Sequence, residues 1–128
     1  MSGAEGGGKR FPFPSEERLK RSADISVLFK RGKRVSCAGA RLFFMHNGAA
    51  ANRIAFVFSR QFGNAVQRNR ARRLGREAYR HLRSALKPGF DMVLLVYPDE
   101  KARLESRLEQ LNSLFTKASL INRNETTT

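Results

Sequence analysis

Two strand-sized apolar runs with an arginine-rich segment between them set the fold that this chain can adopt. The runs cover residues 54–58 and 92–97, and each is far shorter than the ~18–20 apolar residues of a membrane-spanning helix. Between them, residues 65–86 carry apolar side chains at steps of three and four, which predicts a long amphipathic helix. Its apolar stripe is Ala71, Leu74, Ala78, Leu82 and Ala85. A strand, a helix and a strand in this order predict helices packed on a sheet.

The rest of the chain supplies further elements for the same domain. We expect a first helix over 22–31, capped by Ser22 or Asp24 and ended by Gly32, and a final helix over 99–118. Strands are predicted over 33–37, 40–46, 52–59 and 91–97. With 128 residues the chain is long enough for one domain. The prediction is a two-layer α+β domain over 16–120, with about four strands in a mixed sheet, three helices and the order α-β-β-β-α-β-α. Residues 1–15 and 121–128 are expected to be flexible.

The positive charge is concentrated in two segments. The net charge is +14, and residues 60–83 contain eight arginines and one acidic residue, Glu77. Residues 9–34 contain nine lysines and arginines against three acidic residues, whereas residues 98–128 carry five of each sign. This pattern predicts one basic face on a folded domain and a polyanionic partner: nucleic acid, an anionic membrane or an acidic protein.

A single cysteine, Cys37, excludes an internal disulfide framework and any zinc site built from several cysteines. The glycine-rich segment 1–8 lacks the apolar core of a signal peptide, so we expect the protein in the cytoplasm.

The junction between the third strand and the long helix carries the most specific pattern. Gly63 and Asn64 permit a tight turn, and Arg68-Asn69-Arg70 then places three strong hydrogen-bonding side chains in the first helical turns. Guanidinium groups match phosphate oxygens in two-pronged hydrogen bonds, and the helix N-terminus favours anions. The alternative is a merely solvated basic face, but like charges four residues apart destabilise a helix without compensating acids.

These residues resemble the bacterial ribonuclease P protein family. The family's Arg-Asn-Arg element after Ala-Val is present as Ala65-Val66-Gln67-Arg68-Asn69-Arg70, preceded by Ser59-Arg60-Gln61-Phe62-Gly63-Asn64. The family's last strand is echoed by Gly89-Phe90-Asp91-Met92-Val93-Leu94, and its opening helix by residues 18–32. The resemblance covers about residues 18–118.

The resemblance implies a fold like that of a ribosomal protein domain, with a left-handed β-α-β crossover. It also implies an endoribonuclease holoenzyme in which a large RNA, with Mg²⁺, removes the 5′ leader of precursor tRNA. In such a holoenzyme the protein binds the catalytic RNA and the leader. It carries no catalytic residue, metal ligand or cofactor of its own, and neither a DNA partner nor a membrane is expected.

The resemblance also marks the residues expected to touch RNA. Those facing the catalytic RNA and its metal-rich region are Arg60, Asn64, Arg68, Asn69, Arg70, Arg72, Arg73, Arg76 and Arg80. Those lining the leader cleft are Ile25, Phe29, Phe43 and Met92, of which Ile25 and Met92 stand where the family has aromatic residues. Strand alternation places Phe43 opposite Leu42 and Phe44, so we expect its ring to face solvent or a ligand. The alternative is that Phe29 and Phe43 are ordinary core residues.

Three other functions remain possible from the residues. One is a ribosomal protein or an RNA assembly factor with the same fold, because phosphate binding is generic. Another is a membrane-surface protein, although the helix stripe is half alanine and lacks bulky anchors. The third is a protein-borne active site, for which only two histidines, His46 and His81, are available, and the eleven acidic residues form no paired-carboxylate motif.

Overall fold

A four-stranded mixed sheet with helices on both faces forms the centre of the structure, a computed structural model that describes residues 17–59, 63–98 and 102–121. The elements in chain order are α1 (Ser22–Arg31), β1 (Lys33–Cys37), β2 (Ala40–His46), β3 (Arg53–Phe58), α2 (Ala65–Leu82), a 3-10 turn (Arg83–Ala85), β4 (Phe90–Val96) and α3 (Leu104–Lys117). This order and the α+β class confirm the prediction. Residues 1–15, Arg60 and all of the predicted tail except Ile121 lie outside the described residues.

The strands are ordered β1-β2-β4-β3 across the sheet. β1 pairs with β2, and β2 with β4, in antiparallel fashion, whereas β3 and β4 are parallel neighbours. A parallel pair needs a long connection that leaves the sheet and returns to it. Here α2 is that connection, so its position against the sheet follows from the strand order.

The main core fills the sheet face that α2 and α3 cover. Leu42, Phe44, Met92 and Leu94 point into it from the two central strands, and all are buried. Tyr79 of α2 and Phe115 of α3 meet there with ring centroids 6.5 Å apart. The centre of this sheet face is therefore buried under α2 and α3.

A smaller core lies on the opposite face, under α1. Phe43 and Val93 point into it from β2 and β4, and Leu28 packs on them from α1 together with Leu19 and Ala55. The predicted alternation in β2 is confirmed, because Phe43 and its neighbours Leu42 and Phe44 lie in different cores.

α2 begins where the sequence predicts, and its first turn shows why. Asn64 Oδ1 accepts a hydrogen bond from Gln67 N–H at 2.9 Å, and Gln67 Oε1 accepts one from Asn64 N–H at 3.0 Å. This reciprocal capping box satisfies two amides that would otherwise lack partners. Gly63, with φ +111°, supplies the backbone conformation that other residues rarely adopt.

Gly75 lies in the buried stripe of α2, directly over β3. A Cβ atom at this position would stand 2.8 Å from Cε1 of the Phe56 ring. The glycine costs helix propensity, about 1 kcal/mol relative to alanine, but it allows α2 to approach the sheet closely.

Three expected helix ends are wrong. α1 begins after Arg21, and neither Ser22 nor Asp24 caps it, since both lie inside the helix. α2 ends at Leu82 and continues as a 3-10 turn. α3 begins at Leu104 rather than at 99, because the Ser106 hydroxyl accepts the Arg103 N–H at 2.9 Å and fixes the first turn there.

Candidate nucleic-acid interface

The predicted row of arginines runs along one flank of α2. The buried stripe of the helix contains Ala71, Gly75 and Ala78, and Arg68, Arg72 and Arg76 follow one another at four-residue steps beside it. The Arg72 guanidinium lies 5.1 Å above the Phe58 ring of β3. This flank of α2 therefore faces the edge of the sheet that β3 forms.

The two halves of α2 differ in charge balance. Glu77 Oε2 lies 2.6 Å from Arg80 Nη2 and 3.4 Å from His81 Nε2, and Glu17 pairs with Arg83 at 3.0 Å. The Arg80 hydrogen bond holds the pKa of Glu77 below its usual range. Among the described ion pairs, those that involve α2 lie in its C-terminal half. Arg80, a predicted RNA contact, is thus already bonded to a carboxylate.

The side chains of the Arg-Asn-Arg element point in different directions. Arg70 Nη2 donates to the Ala102 carbonyl at 2.9 Å, so it ties α2 to the segment that precedes α3. Asn69 Oδ1 accepts from Arg72 Nη1 at 3.0 Å. The Nε atom of Arg68 is buried without a hydrogen-bond partner among the described residues. Arg73 is exposed on the outer surface of the helix.

Two further residues that were predicted to contact RNA are Asn64 and Arg60. The Asn64 side chain accepts the capping hydrogen bond of α2, which gives it a structural task. Arg60 lies outside the described residues. An exposed residue that sequence reasoning passed over is Val66, with 75% of its surface accessible at the start of α2.

A pocket lies at the outer edge of β3, between α2 and α1. It has a volume of ≈ 290 Å³, and Arg72 and Arg76 line it from α2 while Ile25 lines it from α1. Arg18 also lines it, and the sequence analysis did not identify it as a site residue, because it assigned residue 18 only to the segment that resembles the family's opening helix. Burial, and then the neighbouring charges of Arg18 and Arg72, lower the pKa of Arg76.

The predicted leader cleft corresponds to the sheet face that α1 partly covers. Phe29 of α1 packs edge-on against Phe43 of β2, with centroids 4.7 Å apart and an interplanar angle of 72°. Phe29 is 37% exposed, whereas Phe43 is 4% exposed. The expectation that Phe43 faces solvent or a ligand is therefore wrong, because α1 covers its ring. Ile25 is partly buried against the same small core.

Met92 cannot belong to this cleft. It pairs with Phe44 and Ile54 in the sheet register and is completely buried in the main core, on the opposite face. Its assignment to the leader cleft is wrong for that reason.

A partly buried ion pair lies at one end of the α1 face. Arg53 Nε and Nη2 donate to the two carboxylate oxygens of Asp91 at 2.8 and 2.7 Å, and Asn47 Nδ2 donates to Asp91 Oδ1 at 2.9 Å. The positive charge of Arg53 is thus neutralised within the fold. The basic side chains left on this face are those of Arg34 and Arg41, which the register places in the same rows as Phe43 and Leu95.

The two histidines lie at the ends of different elements. His46, the last residue of β2, stacks on Phe90 with centroids 4.3 Å apart. His81 lies beside Glu77 near the end of α2. Within residues 17–59, 63–98 and 102–121, no three His, Cys, Asp or Glu side chains come together as a set of metal ligands. No helix in this part of the chain is long and apolar enough to cross a membrane.

Sequence comparison relates this chain to proteins of known family. The family model for ribonuclease P matches residues 13–119. The ribonuclease P protein component of Dictyoglomus turgidum is 33% identical over 112 residues, which cover 85% of this chain and 94% of the relative. The relative from Thermotoga maritima is 29% identical over 110 residues, covering 86% of this chain and 91% of its own.

Solved structures show the same fold. The RNase P protein from Thermotoga maritima superposes with a TM-score of 0.67 at 29% identity, over 76% of this chain and 93% of that chain. The Staphylococcus aureus RNase P protein superposes with a TM-score of 0.74 at 23% identity, over 83% and 98%. These matches favour the ribonuclease P role over a ribosomal protein of similar fold. The chain belongs to the bacterial ribonuclease P protein component family.

Proposed function

We propose that this protein binds the catalytic RNA of ribonuclease P through the N-terminal half of α2 and holds the 5′ leader of precursor tRNA on the sheet face beside α1. The observation that carries the proposal is the separation of charge on α2. Arg68, Arg72 and Arg73 lie in its N-terminal half, which contains no acidic residue, whereas Glu77 in its C-terminal half pairs with Arg80. A polyanion supplies the missing counter-charge.

Arg68 is the residue whose contact we expect to matter most. The Arg68 side chain is half-buried on the flank of α2 that Arg72 shares. A phosphate oxygen of the RNA would accept a charge-assisted hydrogen bond from the guanidinium group. Arg73 is exposed on the outer surface of the same helix and adds a second cation for the RNA backbone.

Phe29 supplies a surface for a base of the leader. Its ring is exposed on the α1 face and is held in place by the edge-on contact with Phe43. Single-stranded RNA binds where a basic groove and an aromatic ring lie together, because every base has a face that can stack. Arg34 and Arg41 project from the same sheet face and supply the basic groove.

In this proposal the chemical step and its Mg²⁺ belong to the RNA, and the holoenzyme acts as an endoribonuclease in the cytoplasm. The protein contributes substrate binding and charge neutralisation, and it neither binds DNA nor inserts into membranes. The His46→Ala and His81→Ala variants are then expected to leave the single-turnover cleavage rate at saturation unchanged. A loss of about 10²–10⁴-fold, the effect of removing a general base, would place an active site on the protein.

The test of the RNA-binding surface is assembly with the cognate catalytic RNA at physiological salt and low magnesium. Arg68→Ala removes a charge-assisted hydrogen bond of about 1.5–3 kcal/mol and is expected to weaken assembly tenfold or more. Lys87→Ala is the control, because it removes one exposed positive charge beyond the far end of α2. Equal effects of the two substitutions would contradict a specific surface on α2.

A further inference from the structure

A chain of side-chain hydrogen bonds runs from the interior side of α3 to the turn between β1 and β2. Arg107 is 2% exposed, and its Nη1 atom donates to Gln110 Oε1. Gln110 Nε2 in turn donates to the Ala38 carbonyl at 2.8 Å. Neither the proposed RNA-binding surface on α2 nor the proposed leader site uses these three residues.

Arg107 determines which way the side-chain amide of Gln110 points. A guanidinium group has only hydrogen-bond donors, so it bonds to the oxygen of that amide and leaves its NH₂ group for the Ala38 carbonyl. A buried charge is costly unless it is hydrogen-bonded. The reverse orientation, with the NH₂ group against Arg107, is therefore unfavourable.

The turn between β1 and β2 has a geometry that needs support from outside. Ala38 and Gly39 form a two-residue loop between the paired strands. Loops of this length favour a positive φ at their first residue, because that conformation matches the twist of the strands. Here Ala38 does not have a positive φ, whereas Gly39 has φ +86°. Both carbonyls of the loop are held by other elements, that of Ala38 by Gln110 and that of Gly39 by Tyr97 N–H at 3.0 Å.

The bond from Gln110 also orients a backbone amide on the other side of the sheet. α3 covers the main core face, so the Ala38 carbonyl is turned toward that face. The C=O and N–H of one trans peptide point in opposite directions, and the Gly39 N–H therefore points toward the face that α1 partly covers. No acceptor for this N–H lies among the described residues. Arg41 follows two residues later and points to the same face, since its two neighbours in β2 lie in the main core.

We propose that Gln110 is a positioning residue for substrate binding, because it orients the Gly39 N–H so that this amide and Arg41 together bind one phosphate group of precursor tRNA. Backbone N–H groups and guanidinium groups both donate charge-assisted hydrogen bonds to phosphate oxygens. The inference rests on the proposed function, in which Arg41 faces the 5′ leader. It adds to that function a side chain of α3 and a backbone amide of the β1–β2 turn.

Gln110→Glu separates the support of the turn from the stability of the core. A carboxylate at this position still accepts from Arg107 but cannot donate to the Ala38 carbonyl. Affinity of the holoenzyme for precursor tRNA is expected to fall roughly tenfold, while affinity for mature tRNA and assembly with the catalytic RNA stay unchanged. Lys117→Met is the matched control, because it also lowers the net charge by one and also removes one bond from α3 to a β1 carbonyl, the 2.8 Å bond to Ser36. Equal losses in the two variants would overturn the proposal.

Methylphosphonate replacement of single leader phosphates gives a readout that a loss of stability does not produce. At one position the replacement is expected to weaken binding by the wild-type protein, and at that position it has little further effect on Gln110→Glu. Such coupling ties the Gln110 side chain to one phosphate group. If every replacement weakens the two proteins to the same extent, the positioning role is wrong.

Amide NMR of the full-length wild-type protein tests the contact without any variant. A short single-stranded RNA is expected to move the Gly39 amide proton downfield in a saturable manner, whereas the same strand with methylphosphonate linkages leaves it in place. A normal strand that binds without moving the Gly39 amide proton would overturn the proposal.

The two proposals fail in different ways. If the wild-type protein stimulates precursor-tRNA cleavage by the catalytic RNA but the Gly39 amide does not respond to the normal strand, the positioning role of Gln110 is wrong and the proposed function stands. If the wild-type protein gives no stimulation, the proposed function is wrong whatever the Gly39 amide shows.

Discussion

The pair formed by Phe29 and Phe43 gives a prediction in which stability and RNA binding separate. Phe43 is 4% exposed and packs in the small core with Leu28 and Val93. Replacing a buried phenylalanine with alanine costs about 3–5 kcal/mol, because transfer energy is lost and a cavity remains. With a shift of about 4 °C per kcal/mol for a domain of this size, Phe43→Ala is expected to lower the melting temperature by roughly 12–20 °C.

Phe29→Ala is the counterpart, because more than a third of this side chain is exposed. The substitution removes the edge-on contact with Phe43, worth about 0.5–1.5 kcal/mol beyond area burial, and we expect a destabilisation of about 1–2 kcal/mol. Loss of a stacked base costs about 1–3 kcal/mol, so affinity for precursor tRNA is expected to fall roughly five- to a hundredfold while affinity for mature tRNA is unchanged.

The assay combines thermal unfolding of both variants with their affinities for precursor and mature tRNA in the reconstituted holoenzyme. The reasoning is refuted if Phe43→Ala unfolds near the wild-type temperature, since its ring would then not be part of a core. It is also refuted if Phe29→Ala binds precursor tRNA as tightly as the wild type.

Three further substitutions test the helix that carries the RNA-binding surface. Asn64→Ala removes the cap of α2 and is expected to cost about 1 kcal/mol in chemical unfolding; an unchanged midpoint would contradict the capping role. Gly75→Ala is expected to destabilise the protein by roughly 1–3 kcal/mol through overpacking against Phe56, and the added Phe56→Leu substitution should relieve this loss; a stabilised single variant would argue against the close approach. Glu77→Gln releases Arg80 and is expected to raise non-specific RNA affinity and steepen its salt dependence; no change in either would show that this ion pair does not limit the RNA-binding surface.

The fold was predictable to the extent that local patterns determine it. Strict alternation in 40–46 placed Phe43 on the opposite face from Leu42 and Phe44, and the Gly63-Asn64 pair marked the start of α2. Alternation could not assign Met92, because β4 is apolar from Met92 to Val96 and carries buried residues on both faces. Only its pairing register with β2 and β3 places Met92 in the main core.

The candidate site depends on contacts between distant parts of the chain, and these were harder to predict. The spacing of Arg68, Arg72 and Arg76 indicated a common flank, since that is a property of one helix. The bond from Arg70 to the Ala102 carbonyl joins residues 32 positions apart, so no local pattern indicates it. Arg18 reaches the pocket because Glu17 and Leu19 anchor its segment on the 3-10 turn after α2 and on β3. The burial of Phe43 under α1 likewise depends on how this helix docks on the sheet, and no local pattern predicts that docking.

The central claim is that this protein acts as the protein component of an RNA-based endoribonuclease. The most direct measurement is single-turnover cleavage of precursor tRNA by the cognate catalytic RNA at low magnesium, with and without the full-length protein. We expect that the protein alone cleaves nothing and that its addition to the RNA restores removal of the 5′ leader. Cleavage by the protein without the RNA, or an RNA-catalysed rate that the protein leaves unchanged, would contradict it.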